Sequence, residues 1–415
     1  MRVTTLLKRL LGIKHVVVEG FEAILGCLEL TVKPSWRFHR CSNCGKICKG
    51  SYDHRRMRSW RYLDFGGVSV YLVYRLARVD CPSCGVVVEK VPWNRNVESR
   101  FTEDFEDQVV YHAQRTDKTT VTHLFHIGWR TVGRIMKRVA KRMGREDLLD
   151  GLERIAIDEI SYRKHHHYLT LVADHDHRRI VWGKKGKDAE TLAAFFEALG
   201  EQRCKIIRVV SMDMSKAYIK VVREKLPWAQ IVFDRFHVEK LVNDALDKTR
   251  REEWQRLRRT DDEKIIKKMR WVLLKRPWDL DTDEWQRLSI LQKRNARVYR
   301  AYLLKESFSN ILDGRQPNVA KRKIQRWLSW ACRSRLPEFV RVARTIREHL
   351  DDIVAYIRHR VTNGLIEGLN NKARLITRRA YGFHSAEATL AMIMLCCSGL
   401  ELMPVHKVLD FDPHV

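Results

Sequence analysis

Apolar positions along this 415-residue chain change their period several times, and each change predicts a different kind of element. The opening stretch LLKRLLGI carries helical spacing and predicts a short amphipathic helix, with a strand to follow in KHVVVEGF. Between Arg55 and Asp80, apolar and basic residues alternate in RSWRYLDFGGVSVYLVYRLARVD, which predicts two strands around Gly66-Gly67. From Glu103 to about Arg145 the period becomes 3.6. That stretch predicts a helix to about Gln114, a second from Thr119 to His126 capped by Thr119 or Thr120, a turn at Gly128, and a third from Trp129. Ile127, Val132, Ile135 and Val139 form its apolar stripe. Two helices, a glycine turn and a basic helix make a helix-turn-helix pattern, whose last helix would turn Arg130, Arg134, Lys137 and Arg138 towards DNA.

Strands return in ERIAIDEISYRK, HHYLTLVADHDH and RRIVWGKKGK. DAETLAAFFEALG then predicts a helix capped by Asp188, CKIIRVVSMDMS a buried strand ending at Asp213, SKAYIKVVREKLP a helix, and AQIVFDRFHV a fifth strand. Three antiparallel strands followed by alternating helix and strand is the order of a ribonuclease-H-like core. After His237 the pattern is helical and basic, with Trp254, Trp271, Trp278, Trp285, Trp327 and Trp330 interleaved with Arg and Lys. Such tryptophans either pack helices together or stack on unpaired bases. The expected fold class is a multidomain α+β protein. Its parts are an N-terminal helix and strand segment (1–37), a strand-rich ribbon (38–98), a helix-turn-helix domain (99–148), the first part of the ribonuclease-H-like core (149–240), an all-helical insertion (241–358), and the rest of the core (359–415).

Composition narrows the function. Lys and Arg number 79 against 51 Asp and Glu, a net +28 spread along the chain, which points to a polyanion as partner. A hydrophobic share of 45% argues against general disorder, and no apolar run approaches the roughly twenty residues of a membrane span. The basic, apolar N-terminus lacks a small-residue cleavage site, so a reducing cytoplasm is expected. Ten cysteines fit that compartment. Cys41-Ser-Asn-Cys44 and Cys81-Pro-Ser-Cys84, each followed by glycine, make two CxxC knuckles flanking a strand-rich segment, the signature of a structural zinc site. Cys48 lies close enough to substitute as a ligand. The module so stiffened would carry Arg55, Arg56, Arg58 and Arg61 towards DNA.

Three acids stand in patterns suited to a catalytic metal. Asp158 lies among Ile155, Ile157 and Ile160 in the first core strand, and Asp213 closes the fourth. Those strands are neighbours in such a sheet, so the two carboxylates should meet and repel until a divalent cation neutralises them. Glu159 should point to the opposite face. The histidines and aspartates between His165 and His177 fall at strand ends and in a hairpin turn, where solvated polar residues belong. Asp234-Arg-Phe-His237 either flanks the acidic pair or supplies a helix cap and a surface histidine. The third acid, Glu367, shares a helix face with Asn363, Asn370, Asn371 and Arg374, opposite Leu365, Ile366, Leu369, Ala373 and Ile376. The amides can orient the carboxylate or touch phosphates, while Lys372, Arg374 and Arg378 can follow a DNA backbone. Oxygen ligands of this kind favour magnesium or manganese over zinc.

The order of CxxC pair, helix-turn-helix, IAIDEIS, VVSMDMS, FDRFHV and TNGLIEGLNNKARLITRRAYGF closely resembles the ISL-three family of bacterial insertion-sequence transposases. The resemblance implies a DDE transposase in which Asp158, Asp213 and Glu367 match the three acidic positions and Asp234 with His237 match an associated Asp-x-x-His element. It further implies hydrolysis of one strand at each transposon end and attack of the freed 3′-hydroxyl on target DNA. The partners would be double-stranded terminal inverted repeats and target DNA, bridged by a homodimer, without membrane or small-molecule substrate. Cytoplasmic, nucleoid-associated action in a bacterium follows from that resemblance. Two other classes remain distinct: a nuclease with the same core that cleaves without joining, and a non-catalytic DNA-binding regulator.

Overall fold

The structure is a computed structural model that describes residues 2–143, 146–163, 167–260, 262–359, 364–380, 383, 385–400 and 402–403. The chain divides into two compact units, Met1–Gly144 with Arg379–Tyr381 and Leu400–Val415, and Arg145–Arg378 with Gly382–Gly399.

In the first unit, helix α1 (Val3–Leu11) buries Leu7 and Leu11 and stops at Gly12, whose φ of 56° is the left-handed turn that glycine adopts without strain. Strands β1 (Val16–Ile24) and β2 (Cys27–Pro34) form a hairpin, β3 (His39–Arg40) pairs with β4 (Ile47–Cys48), and β5 (Asp53–Arg61), β6 (Ser69–Cys81) and β7 (Gly85–Val88) follow. The predicted turn holds: Phe65 and Val68 exchange both backbone bonds across Gly66 and Gly67, each at positive φ, as a two-residue hairpin of this hand requires. Sheet order is β1-β2-β6-β5, with β7 also on β6. Because β2 pairs in parallel with β6, the N-terminal segment and the ribbon expected as separate parts share one sheet. Its core gathers Leu11, Val32, Leu72, Trp60 and Trp93, the last two edge to face at 5.6 Å.

Helices α2 (Glu103–Ala113), α3 (Lys118–Phe125) and α4 (Trp129–Met143) match the predicted helix-turn-helix. Asp117 caps α3 by accepting from the Thr120 backbone and hydroxyl, so neither Thr119 nor Thr120 is the cap; a carboxylate immediately ahead of the helix body serves better. The chain reverses at His126, with φ of 52°, while Gly128 offers the carbonyl that starts α4. Val132, Ile135, Met136 and Val139 are the buried stripe. Arg130, Arg134 and Lys137 are exposed, but Arg138 is not free for DNA. Its guanidinium donates to Glu106 at 2.6 Å and ties α4 to α2, because Glu106 is only 4% exposed and needs a cation.

The second unit is a sheet with helices on both faces. Strands β8 (Arg154–Arg163), β9 (His167–Asp174) and β10 (Arg179–Lys185) run antiparallel. After α5 (Ala189–Leu199) and α6 (Glu201–Cys204), β11 (Val209–Met212) joins β8 in parallel; α7 (Lys216–Lys225) leads to β12 (Gln230–Phe233), parallel to β11. The order β10-β9-β8-β11-β12 is that of a ribonuclease-H-like core. The fifth strand is shorter than predicted and ends at Phe233, since α8 (Arg235–Arg256) begins two residues later. Then come α9 (Asp262–Lys267), α10 (Arg270–Leu274), α11 (Thr282–Arg294), α12 (Ala296–Leu312), α13 (Pro317–Arg333), α14 (Pro337–Glu348), α15 (Leu350–His359), α16 (Gly364–Arg379) and α17 (Ala386–Cys397). Ile155, Ile157, Val210, Met212 and Phe233 pack on one face against α5, α7 and α8. On the other, Val209 and Val232 meet Ala355 of α15, and Ala156 and Ala173 meet Ile366 of α16.

The tryptophans of the helical region differ in burial. Trp327 is buried against Phe308 and donates to the Leu304 carbonyl at 2.9 Å, whereas Trp271, Trp278 and Trp285 are exposed. Replacing Arg138 by Ala should lower stability by about 1–3 kcal/mol in urea unfolding, because Glu106 loses its cation, whereas Arg134→Ala should stay within about 0.5 kcal/mol. Equal effects would remove Arg138 from the α2–α4 contact.

Candidate functional site

The acidic site is built by strand register. Ser211 pairs with Ala156, so carrying the parallel register on by two residues sets Asp213 level with Asp158. Met212 pairs with Phe233, and one further step sets Asp234 level with Asp213. The backbone N–H of Asp234 donates to the Met212 carbonyl, which continues the ladder past the end of β12. Side chains alternate along a strand, and Ala156, Val209 and Val232 face α15 and α16; the same parity sends Asp158, Asp213 and Asp234 to that face. Adjacent strands lie about 4.8 Å apart, so three carboxylates stand in a row across the sheet. Glu159 takes the opposite face, where Tyr218, bonded to Thr170, lies beside it.

Each acid has partners that hold its position. Asp158 is half-buried; its Oδ1 accepts the Glu159 backbone N–H at 2.7 Å and its Oδ2 the Asn370 amide at 2.7 Å. Burial above all, with the like charge of Asp213, raises its pKa above the ordinary carboxylate value; the Glu159 N–H, His237 and Arg374 pull the other way. Asp213 accepts the backbone N–H of Ser215 at 3.0 Å. Asp234, 8% exposed, takes the cap position of α8 without a capping bond from its side chain, and His237 in the next turn brings Nε2 to 4.0 Å from its carboxylate. A simple helix cap with a surface histidine therefore does not describe this pair.

Helix α16 brings the remaining groups. Ile366 seats it on Ala156 and Ala173, one residue from Glu367 and two strand positions from Asp158. Glu367 is exposed and Asn370, one turn later, is 1% exposed. Cβ atoms at that spacing lie about 5–6 Å apart, so Glu367 is a turn of helix away from the Asp158 contact. Among the described residues, Asp158, Asp213 and Glu367 do not converge to the 4.8 Å mutual spacing that the cysteine cluster reaches. Asn370, expected among the DNA contacts, instead holds Asp158, and its Oδ1 has no partner. Orienting a carboxylate is one of the two roles expected of these amides; helical periodicity places Asn370 near both faces, and only docking shows that the carboxylate it meets is Asp158. Lys372, Arg374 and Arg378 are exposed; Asn363 lies outside the described residues.

The four cysteines of the two knuckles meet, all ligand atoms lying within 4.8 Å of one another. Gly45 and Gly85, at φ of 73° and 68°, turn each knuckle. The backbone N–H of Ser83 foremost draws the Cys81 thiol down to about 6, which prepares a thiolate. Cys48 is buried beside this cluster but outside the group of four, and burial pushes its thiol up. Arg55 and Arg56 are exposed. Arg58 turns inward instead, donating to the Ser99 carbonyl at 2.9 Å and lying over Trp60, since a long cation flanking a buried ring packs against it. Arg61, 8% exposed, is bound to Asp64.

A tetracysteine ribbon, a helix-turn-helix and a ribonuclease-H-like core with carboxylates level on adjacent strands are the parts of a DDE transposase. Family comparisons agree: residues 155–393 match a DDE transposase family, 98–140 the helix-turn-helix domain of transposase family ISL3, and 37–84 the zinc-finger of transposases IS204, IS1001, IS1096 and IS1165. The chain belongs to the ISL3 family of transposases. It is 39% identical over 432 residues to the transposase for insertion sequence element IS1557 of Mycobacterium tuberculosis, with 96% of each chain covered. To the transposase for insertion sequence element IS1001 of Bordetella parapertussis it is 29% identical over 365 residues, covering 87% of this chain and 89% of the other.

A raised carboxyl pKa has a stability consequence of definite sign. Ionised Asp158 is disfavoured in the fold, so its contribution to stability is present at acid pH and lost as pH rises through the raised value. Asp158→Asn should therefore stabilise the metal-free protein at pH 7 by about 0.5–2 kcal/mol, the unpartnered Asn370 Oδ1 turning to accept the new amide. The gain in melting temperature should vanish below about pH 4, where the aspartate is protonated in both states. A loss of stability at pH 7 would contradict the assigned strain.

Proposed function

We propose that this transposase binds the terminal inverted repeats of its insertion sequence, cleaves one strand at each end and joins the freed 3′-hydroxyl to target DNA. The observation that carries the reading is the register that levels Asp158 with Asp213 on the face where α16 docks through Ile366, the residue before Glu367. Asp158, Asp213 and Glu367 form the catalytic set in this reading, with Asp234 and His237 beside them. The donors are all oxygens, one carboxyl is held in an unfavourable charge state, and a buried amide oxygen lacks a partner, which together fit a divalent cation. When bound, magnesium or manganese would supply Lewis-acid activation of the attacking oxygen and stabilise the leaving 3′-oxygen.

The chain's own residues do the rest. Asn370 fixes the orientation of Asp158, as outer partners commonly do for metal-binding carboxylates. Glu367, exposed on the first turn of α16, completes the set by turning its side chain towards the aspartates. His237 can hold a proton next to the reacting phosphate. Lys372, Arg374 and Arg378 carry the strand along α16, Arg130, Arg134 and Lys137 present a basic helix to the major groove, and Arg55 and Arg56 add backbone contacts. Cys41, Cys44, Cys81 and Cys84 would hold a structural zinc with four thiolates and leave it no open position, which would keep the ribbon folded. Two ends cut in concert call for a homodimer, acting in the bacterial cytoplasm on nucleoid DNA. Among the described residues no helix is long and apolar enough to cross a membrane.

Purified protein, terminal-repeat duplex, a supercoiled target and magnesium should yield joined products. Asp213→Ala should reduce them at least about a thousandfold while leaving duplex affinity within about twofold, since several kcal/mol of transition-state stabilisation would be lost. Cleavage without joining would favour a nuclease, and binding alone would sink the enzyme reading. One zinc per chain is expected by elemental analysis, with Cys84→Ser abolishing it and lowering the melting temperature of the N-terminal unit; a metal-free protein of unchanged stability would refute the zinc assignment.

A further inference from the structure

The N-terminal unit holds a cleft of about 590 Å³ between the α1–β1 connection, the first cysteine knuckle and the segment leading into α2. Its volume is that of a small-ligand site. Lys14, Trp36, Arg40 and Lys90 line it. The Trp36 Nε1–H and the Arg40 Nε–H are buried and have no hydrogen-bond partner, although the Arg40 guanidinium lies 5.5 Å from the centre of the Trp36 ring. Both orphaned atoms are donors. The acids of the cleft are already engaged: Glu103 pairs with Arg95 at 2.9 Å, and Glu89, 2% exposed, accepts from His39, Tyr74 and the Ala77 backbone. Among the described residues, Lys14, Arg40 and Lys90 form no ion pair.

An unmet buried donor costs about 1–3 kcal/mol, which an acceptor oxygen reaching either atom through a small side-chain shift would remove. The excess of cations favours an anionic acceptor, and the Trp36 ring, with His15 and Arg40 beside it, offers aromatic surface to whatever is attached to that acceptor. We propose that this cleft seats a backbone phosphate of double-stranded DNA, with the adjoining sugar or base against Trp36. It is a contact additional to the major-groove helix α4 and to Arg55 and Arg56, and it takes its DNA ligand from the transposase reading above. Phosphate binding at this depth would anchor the sheet of the N-terminal unit to the DNA backbone and fix its orientation there without reading sequence.

The test uses the full chain and fluorescence anisotropy across a salt series, with a terminal-repeat duplex and an unrelated duplex as probes. Lys14→Gln with Lys90→Gln should lower the slope of log affinity against log salt by about one to two on both probes, and Trp36→Phe should weaken binding several-fold while zinc content stays intact. Slopes and affinities equal to the parent protein's on both duplexes would overturn the proposal. A fluorescence change saturable by inorganic phosphate alone, with DNA binding untouched by the substitutions, would also overturn it, by showing a free-anion site. Failure of the transposase reading has a different signature, since the parent protein would then bind the two duplexes alike while the slope difference between parent and variant remained.

Discussion

Parallel pairing of β11 with β8 and with β12 is the constraint on which the rest of the core depends. It sets two carboxylates just past the ends of β11 and β12 level with Asp158 in the middle of β8, an arrangement that electrostatics opposes and that no apolar packing rewards. The sheet tolerates it because both of its faces are buried elsewhere: isoleucines, valines and Phe233 lock one face, while Ala156, Ala173, Val209 and Val232 receive α15 and α16 on the other. Stability invested in those faces holds a charge cluster that would otherwise drive the strand ends apart.

Small residues decide how close α16 comes to the sheet. Alanines at 156 and 173 leave room for Ile366, so α16 lies near enough for the Asn370 amide to reach Asp158. A larger side chain at either position would lift the helix and break that bond. The long helical excursion from Arg235 to His359 is packed into the same unit, with Trp327 and Phe308 at its centre, and returns the chain to the sheet at α15.

The N-terminal unit uses charge differently. Several arginines that alternate with apolar residues in sequence are spent inside it: Arg58 over Trp60, Arg61 on Asp64, Arg138 on Glu106. Others stay on the surface, as Arg55, Arg130 and Arg134 do. Nothing in the local pattern separates the two groups, because an arginine's long stem lets it reach either solvent or a buried acid from the same backbone position.

Local sequence determined the element types, the two-glycine hairpin, the pairing of CxxC knuckles and the strand order expected for the core, since turn residues, ligand spacing and periodicity act over a few residues each. It also singled out Asp158 and Asp213 as acids in apolar strands and Glu367 as an acid among amides. Tertiary structure alone decided that Asp234 stands level with them, that Asn370 faces inward to Asp158, and that the N-terminal hairpin joins the ribbon's sheet through β2 and β6. The reason is range: register between distant strands and the docking of a helix that returns after some 150 residues depend on surfaces that exist only once the chain has folded.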